Sequence, residues 1–133
     1  MKKKNNKLLP KGRQTLAVDL DGTIAKVNPL AGAIIGRPIK ESIPILKKFK
    51  KANWQIVLYT VRPDEWILRR WCDKNFPKIF DAINCNPEDV RQWGIVAAKP
   101  KATIYLDDRA WPNVESFDWD KFEEDAKKRG WIK

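Results

Sequence analysis

The sequence has no histidine, only two cysteines and no long apolar run. Without histidine, Ser-His-Asp and Cys-His catalysis are excluded, and acid–base chemistry must rest on carboxylates, lysines or tyrosines. Cys72 and Cys85 cannot supply the usual four-ligand zinc site, so we interpret them as small buried side chains. No apolar run approaches the roughly 20 residues of a membrane span, and the basic N-terminus lacks the apolar stretch of a secretory signal. We therefore expect a cytoplasmic protein that makes no use of a membrane.

The composition indicates one domain with a strong positive charge. The chain has 133 residues, of which 43% are hydrophobic, and this suits one compact core. Its 27 basic and 17 acidic residues give a formal charge of +10, which favours anionic partners such as phosphorylated substrates or nucleic acid. We interpret residues 1–13 as a flexible basic tail and residues 14–133 as a single domain.

Short apolar runs alternate with segments of helical periodicity. Strands are predicted at 15–20, 55–59, 82–85 and 103–106, each as a continuous apolar run. Helices are predicted at 42–52, after Asp64 and at 118–129, with one or two helical turns at 87–93. This order is typical of an α/β fold, a single-domain, doubly wound (Rossmann-like) parallel sheet with helices on both faces.

Individual residues fix the expected ends and faces of the helices. Ser42 is a plausible N-cap of the first helix, and Gly130 is a C-cap of the last. The second helix should bury one face formed by four residues, Ile67, Leu68, Trp71 and Cys72.

Acidic and hydroxyl side chains follow three of the predicted strands. Asp19 and Asp21 end the first strand, Thr60 ends the second, and Asp107 and Asp108 end the strand at 103–106. Ligands of an open parallel sheet bind beyond the carboxyl ends of its strands, so these side chains should meet there. The strand that carries Asp19 should lie between the other two. A cluster of carboxylates repels itself, and a divalent cation with oxygen ligands, best Mg²⁺, would neutralise it.

Four short motifs occur in a fixed order along residues 15–110. They are Asp-Leu-Asp-Gly-Thr at 19–23, Thr60, Lys99 and the aspartate pair at 107–108. Together they resemble the four motifs of the haloacid dehalogenase-like (HAD) superfamily. The resemblance implies a Mg²⁺-dependent phosphatase that works through an aspartyl-phosphate.

The resemblance also implies catalytic roles. Asp19 would be the nucleophile, Asp21 the general acid and base, and Thr60 a hydrogen-bond donor to the phosphoryl group. Lys99 would neutralise charge beside the nucleophile and the phosphate, although Lys101 competes with it for this role. Aspartate at 21 favours phosphatase chemistry over the reactions of superfamily members that lack it.

Four residues would hold the metal. Asp19 and Asp107 would bind Mg²⁺ directly, Asp21 through its backbone carbonyl, and Asp108 directly or through water. Phosphoryl transfer needs mainly positioning and charge neutralisation, which these groups supply.

The intervals between the motifs leave no room for a cap domain, and residues 24–38 form at most a small flap. Its residues Leu30, Ile34 and Ile35 are either core anchors or an exposed lid surface. Arg62 either contacts substrate phosphate or forms a surface ion pair. The substrate is a small phosphorylated molecule or a phosphorylated nucleic-acid end, and a homo-oligomer is one way to cover the open site. The alternative function is a basic nucleic-acid-binding module without turnover, suggested by the charge and by seven tryptophans.

Overall fold

A parallel sheet forms the centre of the protein. The computed structural model describes residues 13–27, 34–62, 66–87, 100–110 and 117–133. Within these ranges the four strands are β1 (Thr15–Asp19), β2 (Gln55–Tyr59), β3 (Ala82–Ile83) and β4 (Ile104–Leu106). Their order is β3-β2-β1-β4, and every pair of neighbours is parallel. The predicted α/β class is confirmed, and β1 lies between β2 and β4 as expected.

Burial explains why β1 is a central strand. Leu16, Ala17 and Val18 are 0% exposed, although alternate side chains of a strand point to opposite faces. Val57 of β2, in register with Ala17, is also fully buried. Both faces of the sheet centre are therefore covered, as continuous apolar runs require. The strand predicted at 82–85 is shorter in the structure because Asn84 turns into the left-handed region with φ 57°.

Among the described residues three helices accompany the sheet, and each is close to its predicted position. They are α1 (Ser42–Lys51), α2 (Trp66–Asn75) and α3 (Trp119–Lys128). The prediction of Ser42 as an N-cap was wrong. Ser42 is the first helical residue, and its hydroxyl donates to the Ile39 carbonyl instead of accepting from the helix. Asp118 does cap α3, since its side chain accepts from the Lys121 amide, and Gly130 follows the helix with φ 77°.

The buried face of α2 is narrower than predicted. Leu68 and Cys72 are buried and Trp71 is half-buried, but Ile67 is 51% exposed. Burying Ile67 as well would require a wider contact with the core than this helix makes. Cys72 and Cys85 are not joined by a disulfide; Cys72 is buried as predicted, whereas Cys85 is only partly buried.

Aromatic side chains hold α1 against α3. Phe49 of α1 stacks on Phe122 of α3 with ring centres 5.4 Å apart, and it meets Trp54 edge to face at 5.0 Å. Trp119 packs edge to face on Phe122 from the start of α3. Such contacts bury large apolar areas, so they fix α3 relative to the centre of the protein.

Residues 24–38 fold back on themselves where they are described. The Lys26 amide donates to the Arg37 carbonyl, and Ala25 pairs with Pro38 in an antiparallel bridge. Ile35 packs against the core, whereas Ile34 is 64% exposed. The two isoleucines thus divide between the predicted alternatives of core anchor and exposed surface.

Several predictions fall on residues outside the described ranges. These are the tail up to residue 12, Leu30, Asp64, the turns at 88–93 and Lys99. Among the described residues, no helix has the length and apolar character needed to cross a membrane.

Candidate active site

Strand register brings the first and last aspartates of the motifs together. Val18 of β1 is in register with Leu106 of β4, so the next residues, Asp19 and Asp107, leave neighbouring strands side by side. One carboxylate oxygen from each of Asp19, Asp107 and Asp108 lies within 4.8 Å of the other two. The predicted convergence of these three residues is therefore present.

This donor set fits a hard divalent cation. Mg²⁺ prefers oxygen ligands at about 2.1 Å in an octahedron, so opposite ligands are about 4.2 Å apart. Oxygens within 4.8 Å of one another reach such a cation with small side-chain adjustments. The three carboxylates leave other coordination positions for water and for a substrate oxygen. Asp19, Asp107 and Asp108 are accordingly the residues that would hold Mg²⁺.

The electrostatics of the cluster also point to a cation. Burial, followed by the hydrogen bond to Asp108 and the charge of Asp107, raises the pKa of Asp19 from 3.8 to about 7. The pKa of Asp108 is raised too, mainly by burial, and this residue is only 5% exposed. Negative charges held this close are unfavourable on their own, and a bound cation would relieve the repulsion.

The turn after β1 is locked by Thr23. Its hydroxyl donates to Asp19 Oδ2 at 3.3 Å and accepts from the Asp108 amide at 3.0 Å. Its carbonyl accepts from Trp119 Nε1 at 2.7 Å. The fully buried Thr23 thus connects both aspartates to the start of α3.

Gly22 allows this turn to approach Asp108. Its φ is +87°, and a Cβ atom at this position would lie 2.1 Å from Asp108 Oδ2. A larger residue would be strained in this conformation and would also displace the carboxylate. Gly22 in the first motif is therefore required by the position of Asp108 in the fourth motif.

Asp107 is oriented by two donors. Tyr59 at the end of β2 donates its hydroxyl to Asp107 Oδ2 at 2.8 Å, and the Arg109 amide donates to Oδ1 at 2.8 Å. Burial, with the neighbouring negative charge of Asp107, raises the pKa of Tyr59 well above its ordinary value. Tyr59 therefore stays protonated and keeps donating to Asp107 at neutral pH.

Asp21 lies outside the three-carboxylate cluster and pairs with Arg62. Arg62 Nε donates to Asp21 Oδ2 at 2.7 Å, and Nη2 donates to Oδ1 at 3.0 Å. Of the two alternatives for Arg62, the structure shows an ion pair, and contact with substrate phosphate stays a prediction. The role of the Asp21 carbonyl as a metal ligand stays a prediction.

Thr60 and Arg62 are held by a residue that follows β3. The Thr60 amide donates to Asn84 Oδ1 at 2.7 Å, and Asn84 Nδ2 donates to the Arg62 carbonyl at 3.4 Å. The Arg62 amide in turn donates to Thr60 Oγ1 at 3.1 Å. Since Tyr59 is in register with Asp19, Thr60 leaves β2 directly beside the predicted nucleophile.

Only one of the two candidate active-site lysines lies within the described residues. Lys99 lies outside the described residues. Lys101 is described, and its main chain is fixed by two hydrogen bonds with the buried Asn86, whereas its side chain is exposed. The choice between Lys99 and Lys101 stays open.

Four residues of the site received no role from the sequence: Thr23, Tyr59, Asn84 and Trp119. Asn84 follows β3 and could have been found by applying the strand-end rule to the shortest strand. Thr23 and Tyr59 stand inside the recognised motifs, but their contacts depend on side-chain direction. Nothing in the sequence pattern distinguishes Trp119 from the other tryptophans.

Comparison with known proteins identifies a similar solved structure but no family. No family model matches the chain, and no curated protein matches it. A solved structure of a conserved protein from Bacteroides thetaiotaomicron is similar to it, with a TM-score of 0.70 and 27% sequence identity. The match covers 89% of this chain and 93% of that one. The similarity supports the α/β fold and extends over nearly the whole of both chains.

Proposed function

We propose that this protein is a Mg²⁺-dependent phosphomonoester hydrolase of the HAD type that works through an aspartyl-phosphate. The observation that carries the proposal is the cluster of Asp19, Asp107 and Asp108, with one oxygen of each within 4.8 Å of the others. Asp19 stands at the end of the central strand, and a second aspartate, Asp21, follows two residues later. These are the groups that phosphoryl transfer through a carboxylate requires.

In the first step, a carboxylate oxygen of Asp19 attacks phosphorus in line with the ester oxygen. The new O–P bond forms as the ester O–P bond breaks, and Asp21 gives its proton to the departing alcohol. In the second step, Asp21 takes a proton from water, whose oxygen attacks phosphorus and releases Asp19 and inorganic phosphate. Mg²⁺ held by Asp19, Asp107 and Asp108 would supply positive charge to the phosphoryl oxygens. Thr60 donates a hydrogen bond to the transferring group.

We also propose that the fold is doubly wound and has no cap domain. Two observations support this. Both faces of the sheet centre are fully covered, and between β1 and β2 the described residues form only a folded-back segment, α1 and short turns. An open site of this kind admits a small phosphorylated molecule or the phosphorylated end of a nucleic acid, and a second copy of the chain is a candidate for covering it.

The proposal is tested by hydrolysis of 4-nitrophenyl phosphate. Activity should require Mg²⁺ and should be lost in Asp19→Asn, with most of it also lost in Asp21→Asn. Asp73→Asn is the matched control because Asp73 is exposed on α2 and has no role in the proposed site. Full activity of Asp19→Asn, with or without Mg²⁺, would show that the nucleophile is wrong.

Substrate class is tested with a panel of mononucleotides, sugar phosphates, and oligonucleotides that carry a 3′- or 5′-phosphate. The charge of +10 favours polymer ends, whose kcat/KM should then exceed that of mononucleotides and fall as salt is raised. A sugar phosphate preferred at every salt concentration would contradict this substrate class. Salt-sensitive binding of nucleic acid without turnover of any phosphoester would instead favour the binding module.

A further inference from the structure

Arg62 contacts the carboxylate that the mechanism uses for proton transfer, and it does so with two donors. The Nε and Nη2 atoms reach different oxygens of Asp21, at 2.7 and 3.0 Å. This two-bond arrangement fixes the plane of the carboxylate as well as its position. Turning the Nε and Nη2 edge of the guanidinium toward a phosphate would break both contacts.

The main chain of Arg62 is fixed as firmly as its side chain. Its amide donates to Thr60 Oγ1, and its carbonyl accepts from Asn84 Nδ2. Asn84 also accepts from the Thr60 amide, so one side chain ties both ends of the segment to the residue after β3. The guanidinium is therefore presented from an anchored segment.

The ion pair is partly shielded from water. The side chains of Arg62 and Asp21 are 20% and 30% exposed. A pair in this setting is screened less by salt than a fully exposed one. Each Arg62 donor occupies one lone pair of one carboxylate oxygen, and an ionised carboxylate has about four such sites. The contact thus leaves acceptor sites on Asp21 for the proton that the reaction moves.

We infer that Arg62 is a positioning residue that aims the Asp21 carboxylate at the leaving oxygen, and that it is not a phosphate ligand. The inference rests on the proposed function. One hydrogen-bonded network then joins the ends of β2 and β3 to the Asp21 carboxylate after β1. It consists of Arg62, Thr60 and Asn84.

The test uses full-length protein and two substrates that differ in leaving-group acidity, 4-nitrophenyl phosphate and glycerol phosphate. A poor alkoxide leaving group depends on proton transfer far more than 4-nitrophenolate does. Arg62→Met should therefore lower kcat/KM, which reports phosphoryl transfer to Asp19, by about tenfold to a hundredfold on glycerol phosphate and much less on 4-nitrophenyl phosphate. This loss is a part of the roughly 10²–10⁴-fold that general acid–base catalysis contributes. Asp21→Asn should show the same selectivity in kcat/KM, whereas its kcat should fall on both substrates because Asp21 also activates water in the second step.

Two further variants separate orientation from charge. Arg62→Lys keeps the charge but lacks the two-pronged geometry, so it should recover little of the lost kcat/KM on glycerol phosphate. Asn84→Gly keeps the left-handed backbone and removes the side chain, and it should show a weaker form of the same substrate selectivity. Lys47→Met, which removes one positive charge from an exposed position of α1, controls for net charge.

The alternatives give different results. If Arg62 binds phosphate, Arg62→Met will lower kcat/KM equally on both substrates and weaken inhibition by inorganic phosphate, which would overturn the inference. If the pair only supports the fold, losses will again be equal on both substrates and will follow the melting temperature. A wild-type protein without turnover of any phosphomonoester would refute the proposed function and this inference with it, whereas a substrate-independent loss in an active protein would refute this inference alone.

Should Arg62→Met fail to fold, Arg62→Lys and Asn84→Gly still report the selectivity. Melting temperatures give a reading that needs no turnover. Because the two side chains bond each other, the double variant Arg62→Met with Asp21→Asn should lose less stability than the sum of the single variants. Additive losses would show that the contact is absent in solution and would overturn the inference.

Discussion

Asp19→Asn should make the metal-free protein more stable at neutral pH while removing its activity. In the unfolded chain an aspartate ionises near pH 3.8, whereas in the folded protein the pKa of Asp19 is about 7. At pH values between these two pKa values, Asp19 keeps a proton in the folded state that it has lost in the unfolded state. The free energy of unfolding of the wild type therefore falls as pH rises from about 4 to about 7. Asparagine has no carboxylate to ionise, so the free energy of unfolding of the variant does not fall in this way.

The size of the effect follows from the two pKa values. Their difference corresponds to a ceiling of about 4 kcal/mol. Asp19 is only partly buried, so solvent screening reduces the expected gain to about 1–2 kcal/mol. For a chain of this length such a gain raises the melting temperature by about 3–8 °C. Asparagine keeps an acceptor for the Thr23 hydroxyl, so little is lost in exchange.

The assay is thermal unfolding in EDTA at a series of pH values, followed by the same series with millimolar Mg²⁺. The advantage of Asp19→Asn should be absent near pH 3.5, grow up to about pH 7 and then stay constant. With Mg²⁺ the wild type should gain stability that the variant lacks, because the cation binds the folded cluster. The exposed Asp73→Asn variant should show neither change. A variant that is no more stable than the wild type in EDTA at pH 7.5 would refute the reasoning.

Three other substitutions test separate contacts of the site. Asp107→Asn should abolish the gain in melting temperature that Mg²⁺ gives the wild type, and an unchanged gain would count against Asp107 as a ligand. Tyr59→Phe removes the donor to Asp107 and should weaken Mg²⁺ binding about tenfold to a hundredfold, measured by titration calorimetry, with a change in unfolding free energy of only about 0.5–1.5 kcal/mol. Gly22→Ala should destabilise the protein by at least about 2 kcal/mol more than Gly130→Ala, measured by urea unfolding. Both glycines have positive φ, but only at Gly22 would a Cβ meet Asp108, so equal losses would contradict this account.

The strand ends could be predicted because they depend on short-range rules. Apolar runs mark where the parallel strands lie, and ligands of such sheets bind beyond the strands' carboxyl ends. Asp19, Thr60 and Asp107 were located by this reasoning, and the register of β1 with its two neighbours places them side by side. Locating these residues at the strand ends does not depend on the direction of their side chains.

Side-chain partners could not be predicted in the same way. Arg62 has the same sequence context whether its guanidinium faces a substrate phosphate or Asp21. Its pairing with Asp21 depends on the register that brings the ends of β1 and β2 together. Ile67 fits the apolar periodicity of α2, yet the helix buries a stripe too narrow to include it. Ser42 has a suitable residue type for an N-cap, but the chain before it already turns and directs its hydroxyl to the Ile39 carbonyl. These outcomes depend on tertiary contacts that periodicity does not encode.

The placement of β1 between β2 and β4 has a consequence for the order of events during synthesis. Thr15 bonds to Gln55 40 residues along the chain, but its contact with Thr103 spans 88 residues. At the usual speed of translation, β4 emerges on the order of 2 to 9 s after β2. A nascent chain can therefore pair β1 with β2 early, while the other edge of β1 stays open and its backbone groups lack their strand partners. That exposed edge closes only when β4 arrives with Asp107 and Asp108. A cation that needs all three aspartates would therefore stabilise the finished protein but not its early intermediates.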